Sequence, residues 1–167
     1  MSIKITSASK SDTPLIQNIA IKTWNHTHLK VIGQEQVDYM LARIYTPESL
    51  SKQMDDGQVF LLIYSEDIPA GYISYSQTSQ DRYHINKLYI DPDMHGKGYG
   101  KALLDEPVTR IKNSGGKIID LHVNEHNTKA QNFYKNYGFK TIRLEHYPFE
   151  KYMLHDYLME IEMDMEM

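Results

Sequence analysis

The chain has 167 residues, enough for one domain with a sizeable core, and at 41% hydrophobic and 24% charged it has the composition of an ordinary globular protein. It carries no cysteine, which rules out disulfides, thiolate zinc sites and chemistry through a protein thiol, and its net charge of −4 argues against broad nucleic-acid binding, which draws on basic surface. Residues 1–8 alternate polar and apolar side chains, so no signal peptide is expected; no window approaches the roughly 18 apolar residues of a membrane span, and a cytoplasmic location fits.

Ile3 and Ile5 alternate with polar neighbours as an opening strand, and Ser11 is expected to cap a helix running through Leu15, Ile16, Ile19 and Ala20. His26 and His28 fall at a helix end or loop. Residues 34–54 are helical in pattern but divided at Thr46-Pro47, since proline suits the first turn of a new helix. An apolar run over 59–64 and a β-rich one over 70–76, separated by Glu66, Asp67 and Pro69, form a hairpin. Residues 84–90 alternate as a strand, with Ile85, Lys87 and Tyr89 on one side and His84, Asn86, Leu88 and Ile90 on the other.

A glycine-rich turn follows, then a helical stripe of Leu103, Leu104, Val108 and Ile111 that stops at Gly115-Gly116. Pro107 lies within the stripe and offers the Leu103 carbonyl no N–H, which predicts a kink or an early break. Residues 117–123 read as a strand and 127–137 as a helix with Ala130, Phe133, Tyr134 and Tyr137 on its apolar face and Gly138 as its stop; 139–144 begin another strand. In the tail Ile161, Met163, Met165 and Met167 alternate with acidic residues, the pattern of a half-buried closing strand. The whole predicts one domain over residues 1–167 of the α/β (α+β) class, a mixed, mostly antiparallel sheet of about six or seven strands with helices on both faces.

The informative segment is 88–104. A strand ends at Asp91-Pro92, Gly96, Gly98 and Gly100 follow with Lys97 and Lys101 beside them, and a helix begins at once. Alternate glycines let successive amides turn toward one point, and the helix start adds unpaired amides, so the segment outlines an anion site; the plain alternative is a turn that needs glycine only for its own positive φ. The dinucleotide fingerprint does not match the glycine spacing, and a nucleotide-kinase loop would need Ser or Thr where Gly98 stands.

The run LYIDPDMHGKGYGKALL resembles the acetyl-coenzyme A motif of the GNAT superfamily, whose pattern is Arg or Gln, two residues, Gly, one residue, then Gly or Ala. His95 departs from the first position, and Gly98 and Gly100 match the others. Further on, NEHNTKAQNFYKNYGF resembles the second family block through Asn127, Ala130, Phe133, Tyr134, Gly138 and Phe139. With the element order, the resemblance spans almost the whole chain, and the segments TWNHTH, YIS and FYKNYGF are most similar to the bacterial spermidine/spermine acetyltransferase branch.

The resemblance implies the GNAT acyl-CoA acyltransferase fold and transfer of acetyl from acetyl-coenzyme A (acetyl-CoA) to a small-molecule primary amine, without a metal. It implies a cosubstrate site along Leu88, Tyr89, Ile90, His95, Gly96, Lys97, Gly98, Tyr99, Gly100, Lys101, Asn124, Asn127 and Tyr134, with a backbone amide of 88–90 for the oxyanion. Tyr134 is expected to protonate the departing thiolate; alternatively it is half of an apolar stripe with Phe133. Where relatives carry a glutamate, this strand has His84 as the candidate base, directly or through water, or as a structural strand-edge histidine. Trp24, His26, Glu35 and Tyr39 are candidates for holding the amine, the alternative being a core tryptophan and a solvated acidic face. A protein lysine or N-terminal acetyltransferase and a non-catalytic acyl-CoA sensor stay open as other readings. The alternating tail is expected to serve as an exposed edge for a homodimer.

Overall fold

The computed structural model describes residues 2–163. Strand β1 (Ile3–Ser7) leads through a 3-10 turn (Lys10–Asp12) into helices α1 (Thr13–Thr27), α2 (Leu29–Ile44) and α3 (Pro47–Asp55). Strands β2 (Val59–Ser65), β3 (Ile68–Gln77) and β4 (Arg82–Ile90) follow, then a second 3-10 turn (Pro92–Met94), α4 (Tyr99–Asn113), β5 (Ile118–Asn124), α5 (Thr128–Tyr137), β6 (Lys140–Phe149) and β7 (Tyr152–Glu162). They form one seven-stranded sheet in the order β1-β2-β3-β4-β5-β7-β6. Every pair is antiparallel except β4 with β5. The mixed sheet and its element order are those the sequence predicts.

Two apolar clusters lie on the sheet's opposite faces. Leu61, Ile63, Ile73 and Leu121 pack under Leu103, Leu104 and Ile111 of α4 and Tyr134 of α5; Phe60, Leu62 and Tyr72 pack under Ile16, Ile19 and Ala20 of α1 and Leu50 of α3. Alternate residues of the central strands thus supply both cores, each fully buried Leu or Ile contributing about 1.5–3 kcal/mol.

Local chemistry places most element ends. Thr46 caps α3 by accepting from the Ser49 amide at 3.1 Å. Glu66 and Asp67, at φ 52° and 65°, make the two-residue turn with both central residues left-handed that suits a β2–β3 hairpin. Pro69 lies beyond that turn, in β3 opposite Tyr64. At the start of α1 the cap is not Ser11: the Ser9 amide donates to the Asp12 carboxylate at 2.8 Å across the 3-10 turn, and α1 begins only at Thr13.

Three further expectations are corrected. The break foreseen at Pro107 does not occur, because α4 runs through it from Tyr99 to Asn113 with the proline ring buried on the stripe of Leu103, Leu104 and Ile111, where its packing offsets the missing hydrogen bond. The break falls instead at Gly33 in α2, whose φ of 83° and ψ of 163° lie outside the helical region.

The tail is not an edge. β7 lies between β5 and β6, pairing with both, and the sheet's edges are β1 and β6. A dimer built on residues 152–162 as a free edge therefore has no free strand to use; Met165 and Met167 lie outside the described residues. Among those residues no helix is long and apolar enough to cross a membrane.

The third correction concerns strand parity. Opposite β3, Ser74 faces Lys87 but Tyr75 faces Ile85, so Asn86 is an extra residue in β4. Ile85 consequently shares a cluster with Leu88 and Ile90, whereas Tyr89 joins the α1 side, where Lys87 lies over the Phe60 ring.

Candidate active site

β4 and β5 run parallel for only four pairs, Arg82 with Ile118 through Ile85 with Leu121, and then part. The bulge at Asn86 turns β4 away, and beyond it Leu88, Tyr89 and Ile90 have no β5 neighbour. A groove of about 350 Å³ opens there. Its walls are Leu88, Tyr89, Ile90 and the turn residues Met94, His95, Gly96, Gly98, Tyr99, Gly100 and Lys101 on one side, with Asn127, Lys129, Ala130, Phe133 and Tyr134 of the α5 region on the other and Thr27 of α1 overlooking it.

The turn is held from below. Asp91 accepts from the Asp93 amide at 2.9 Å, and both carboxylates grip Lys22 of α1 at 2.9 and 2.6 Å. Burial raises the Asp91 pKa, but the Lys22 and Asp93 hydrogen bonds outweigh it and hold the carboxyl below its ordinary value. Gly96 and Gly98 adopt φ of 80° and 79°, and a Cβ on either would meet nothing within 4 Å, so the backbone demands glycine while the space beside it stays open. At Gly100 a Cβ would lie 3.4 Å from the Phe133 ring, which keeps the start of α4 close to α5. No side chain caps α4, whose first amides are thus left to a ligand or solvent. A narrow, glycine-walled turn at an uncapped helix start fits a pyrophosphate.

His95 takes a different part from the one its motif position implies. Its Nε2–H donates to the carbonyl of Ile90 at 2.9 Å, and its Nδ1 accepts from Lys129 Nζ at 3.1 Å, so both nitrogens are engaged with protein. Lys101 and Lys129 line the groove; Lys97 is exposed outside it. Asn124 is not a lining residue either: its Oδ1 accepts from the His126 amide at 2.8 Å and shapes the loop into α5. Asn127 caps α5 by accepting from the Ala130 amide at 3.2 Å, which aims the helix at the groove. Tyr134, 8% exposed, stands edge-on between Phe133 and Phe139, and burial pushes its hydroxyl pKa up.

His84 lies on the paired part of β4, with Nδ1 2.5 Å from Oδ1 of the buried Asp120 on β5. Arg82 holds the second oxygen of Asp120 at 2.8 Å and Glu160 of β7 at 2.6 Å. Asp120 was legible as the single acid in the apolar run 118–123, though not as a partner of His84.

The four amine-site candidates fall in three places. Trp24 packs with His28, Tyr45 and Tyr89, and the polar tips of Trp24 and the adjoining Tyr72 are buried without a hydrogen-bond partner among the described residues. His26 stands edge-on to His95 at 6.0 Å, on the turn side. Glu35 and Tyr39 of α2 meet the β6–β7 tip, where Tyr152 donates to Glu35 at 3.2 Å and Tyr39 to Glu150.

A family model described as an acetyltransferase (GNAT) domain matches residues 28–162. The chain is 26% identical over 145 residues to the spermidine N(1)-acetyltransferase of Thermoplasma acidophilum, covering 84% of this chain and 89% of that one. It is 31% identical over 93 residues to the peptidyl-lysine N-acetyltransferase YjaB of Salmonella typhimurium, covering 56% of this chain and 57% of that one, so the match spans little more than half of that relative. The crystal structure of the PaiA N-acetyltransferase of Thermoplasma acidophilum in complex with coenzyme A superposes with a TM-score of 0.85 at 24% identity, covering 98% of this chain and all of the other. The ribosomal-protein-S18-alanine N-acetyltransferase of Escherichia coli does so at 0.75 and 17%, over 99% and 96%. These structures share the fold described above, and with the family model covering both glycine turn and tyrosine helix, the chain belongs to the GNAT acetyltransferase family, a family of acetyl-CoA-dependent N-acetyltransferases.

Proposed function

We propose that this chain transfers the acetyl group of acetyl-CoA to a primary amine of a polyamine, by direct attack in a ternary complex. The observation that carries this reading is that the glycine turn and Tyr134 stand on the two walls of one groove, where β4 and β5 part. Bound acetyl-CoA supplies an acyl carbon activated as a thioester. The amides around Gly96 and Gly98, with Lys101 and Lys129, hold its pyrophosphate, and Asn127 with Leu88, Tyr89 and Ile90 flank the pantetheine and acyl end. A backbone amide of β4 beyond its pairing with β5 steadies the oxyanion.

As the C–N bond forms and the C–S bond breaks, Tyr134 gives its proton to sulfur, and the amine's proton passes to His84. His84 precedes Leu88 by four residues, roughly 13 Å along a strand, so that transfer runs through water. The polyamine class rests on the similarity to a spermidine acetyltransferase over most of both chains. Similarity to a peptidyl-lysine acetyltransferase motivates a second acceptor, a lysine peptide.

Release of coenzyme A thiol from acetyl-CoA is the test, against spermidine, spermine, amino acids, aminoglycosides and a lysine peptide. Turnover with spermidine or spermine is the expected result. A response confined to the peptide would replace the polyamine reading, and binding without turnover on any amine would sink catalysis altogether.

A further inference from the structure

Of the histidines on and beside the sheet, His84 is hydrogen-bonded in a distinctive way. Both nitrogens of His95 are occupied, His122 presents Nε2 to Glu145 at 2.8 Å, and His146 and His155 face each other at 2.7 Å. His84 instead gives Nδ1 to a buried carboxylate, and among the described residues its Nε2 has no hydrogen-bond partner. The carboxylate is itself held from behind by Arg82, which is anchored in turn on Glu160.

We infer that Asp120 is a positioning residue that fixes His84 as its Nδ1–H tautomer and leaves the Nε2 lone pair to receive the proton of the attacking amine. The inference rests on the reading of His84 as the base. A carboxylate accepts from an N–H and cannot donate to a bare nitrogen, so while Asp120 is ionised the proton of a neutral His84 must sit on Nδ1. Burial raises the Asp120 pKa, but hydrogen bonds from His84 and Arg82 outweigh it and keep the carboxyl below its ordinary value, which secures that ionised state. In the reaction the amine proton arrives at Nε2 through water, the Nδ1 proton stays in place, and Asp120 faces the imidazolium so formed without taking a proton itself. A glutamate base needs no such partner; a histidine, with two interchangeable nitrogens, does.

The groups around His84 are Arg82 on its own strand, Asp120 and His122 on β5 with ring centroids of the two histidines 5.5 Å apart, Ser76 opposite on β3, and Glu160 on β7 beyond Arg82. Replacing Asp120 by Asn removes the negative charge nearest the ring and leaves Arg82 beside it. The amide also offers an N–H, to which Nδ1 can accept, favouring the inactive tautomer.

The test combines histidine nitrogen NMR with kinetics on the full chain. Wild type should show His84 as Nδ1–H, and Asp120→Asn should shift it toward Nε2–H. With acetyl-CoA and the best amine of the panel, Asp120→Asn should lower kcat by about 10²- to 10⁴-fold, leave KM for acetyl-CoA within about twofold, and move the acid limb of the kcat/KM profile to lower pH. His84→Ala should be as slow, and the double variant no slower. Wild-type His84 found as Nε2–H overturns the inference and needs no variant to fold. Asp120→Asn at the wild-type rate, with His84→Ala inactive, also overturns it while sparing the base; His84→Ala at full rate overturns the base assignment itself.

Discussion

His95 Nε2 donates to the carbonyl of Ile90 at 2.9 Å, joining the end of β4 to the turn that follows it. With Lys129 on its other nitrogen, the side chain braces the groove between strand end and α5. His95→Ala frees both partners and should weaken coenzyme A binding by about tenfold, the loss of roughly one to two hydrogen bonds, while His95→Gln should retain most of it. Calorimetric titration with coenzyme A decides; binding unchanged in the alanine variant would show that the brace is idle.

Tyr134→Phe keeps the ring between Phe133 and Phe139 and deletes only the hydroxyl. We expect kcat to fall about 10²-fold or more with KM for acetyl-CoA within about twofold. Because burial raises this hydroxyl's pKa, its ionisation should cause no rate loss up to about pH 10. Equal losses in turnover and coenzyme A affinity would mark Tyr134 as packing alone.

Lys87 lies buried over the rings of Phe60 and Tyr45, with its Nζ donating to Gln58 at 2.9 Å and no carboxylate paired with it among the described residues. Burial lowers its pKa from 10.5 to about 7. Between those values the unfolded chain holds a proton that the folded chain has shed, so stability rises with pH through the window, by at most about 1.4 kcal/mol per unit, and below it the full penalty remains. Lys87→Met should raise stability at neutral pH by a few kcal/mol and flatten that slope. Chemical denaturation from pH 6.5 to 10 measures it, and an unchanged slope would refute the assignment. His28, lowered by burial from 6.5 to about 4, should add a separate loss as the medium is acidified across that interval.

Gly33 holds a conformation that only glycine adopts readily, and the part of α2 after it carries Glu35 and Tyr39 to the β6–β7 tip. Gly33→Ala should cost about 1–3 kcal/mol in thermal melts, with a higher KM for the amine and an unchanged KM for acetyl-CoA. A melt at the wild-type temperature would mean that α2 tolerates a continuous helix.

The features legible in the sequence are those a few neighbouring residues settle among themselves. Glu66-Asp67 makes its turn, Thr46 and Asn127 cap their helices, and the glycines at 96, 98 and 138 take the positive φ values their positions require, because turn and cap energetics act within four residues. The order of elements and the anion site at the glycine turn followed from such local signals, whereas the tie between that turn and Tyr134 came from the family resemblance of the two motif blocks.

What stayed hidden depends on partners far along the chain. The extra residue at Asn86, which reverses the strand's faces, exists only in its register with β3. β7 enters between β5 and β6 although β6 precedes it, so an alternating tail looks the same in sequence whether it lies inside a sheet or at its rim. Pro107 keeps its helix because the ring meets a core assembled from other elements. Trp24, His26, Glu35 and Tyr39 separate, and His84 meets Asp120 from 36 residues away, because side-chain proximity across strands is a property of pairing register and packing, which no local stretch of chain encodes.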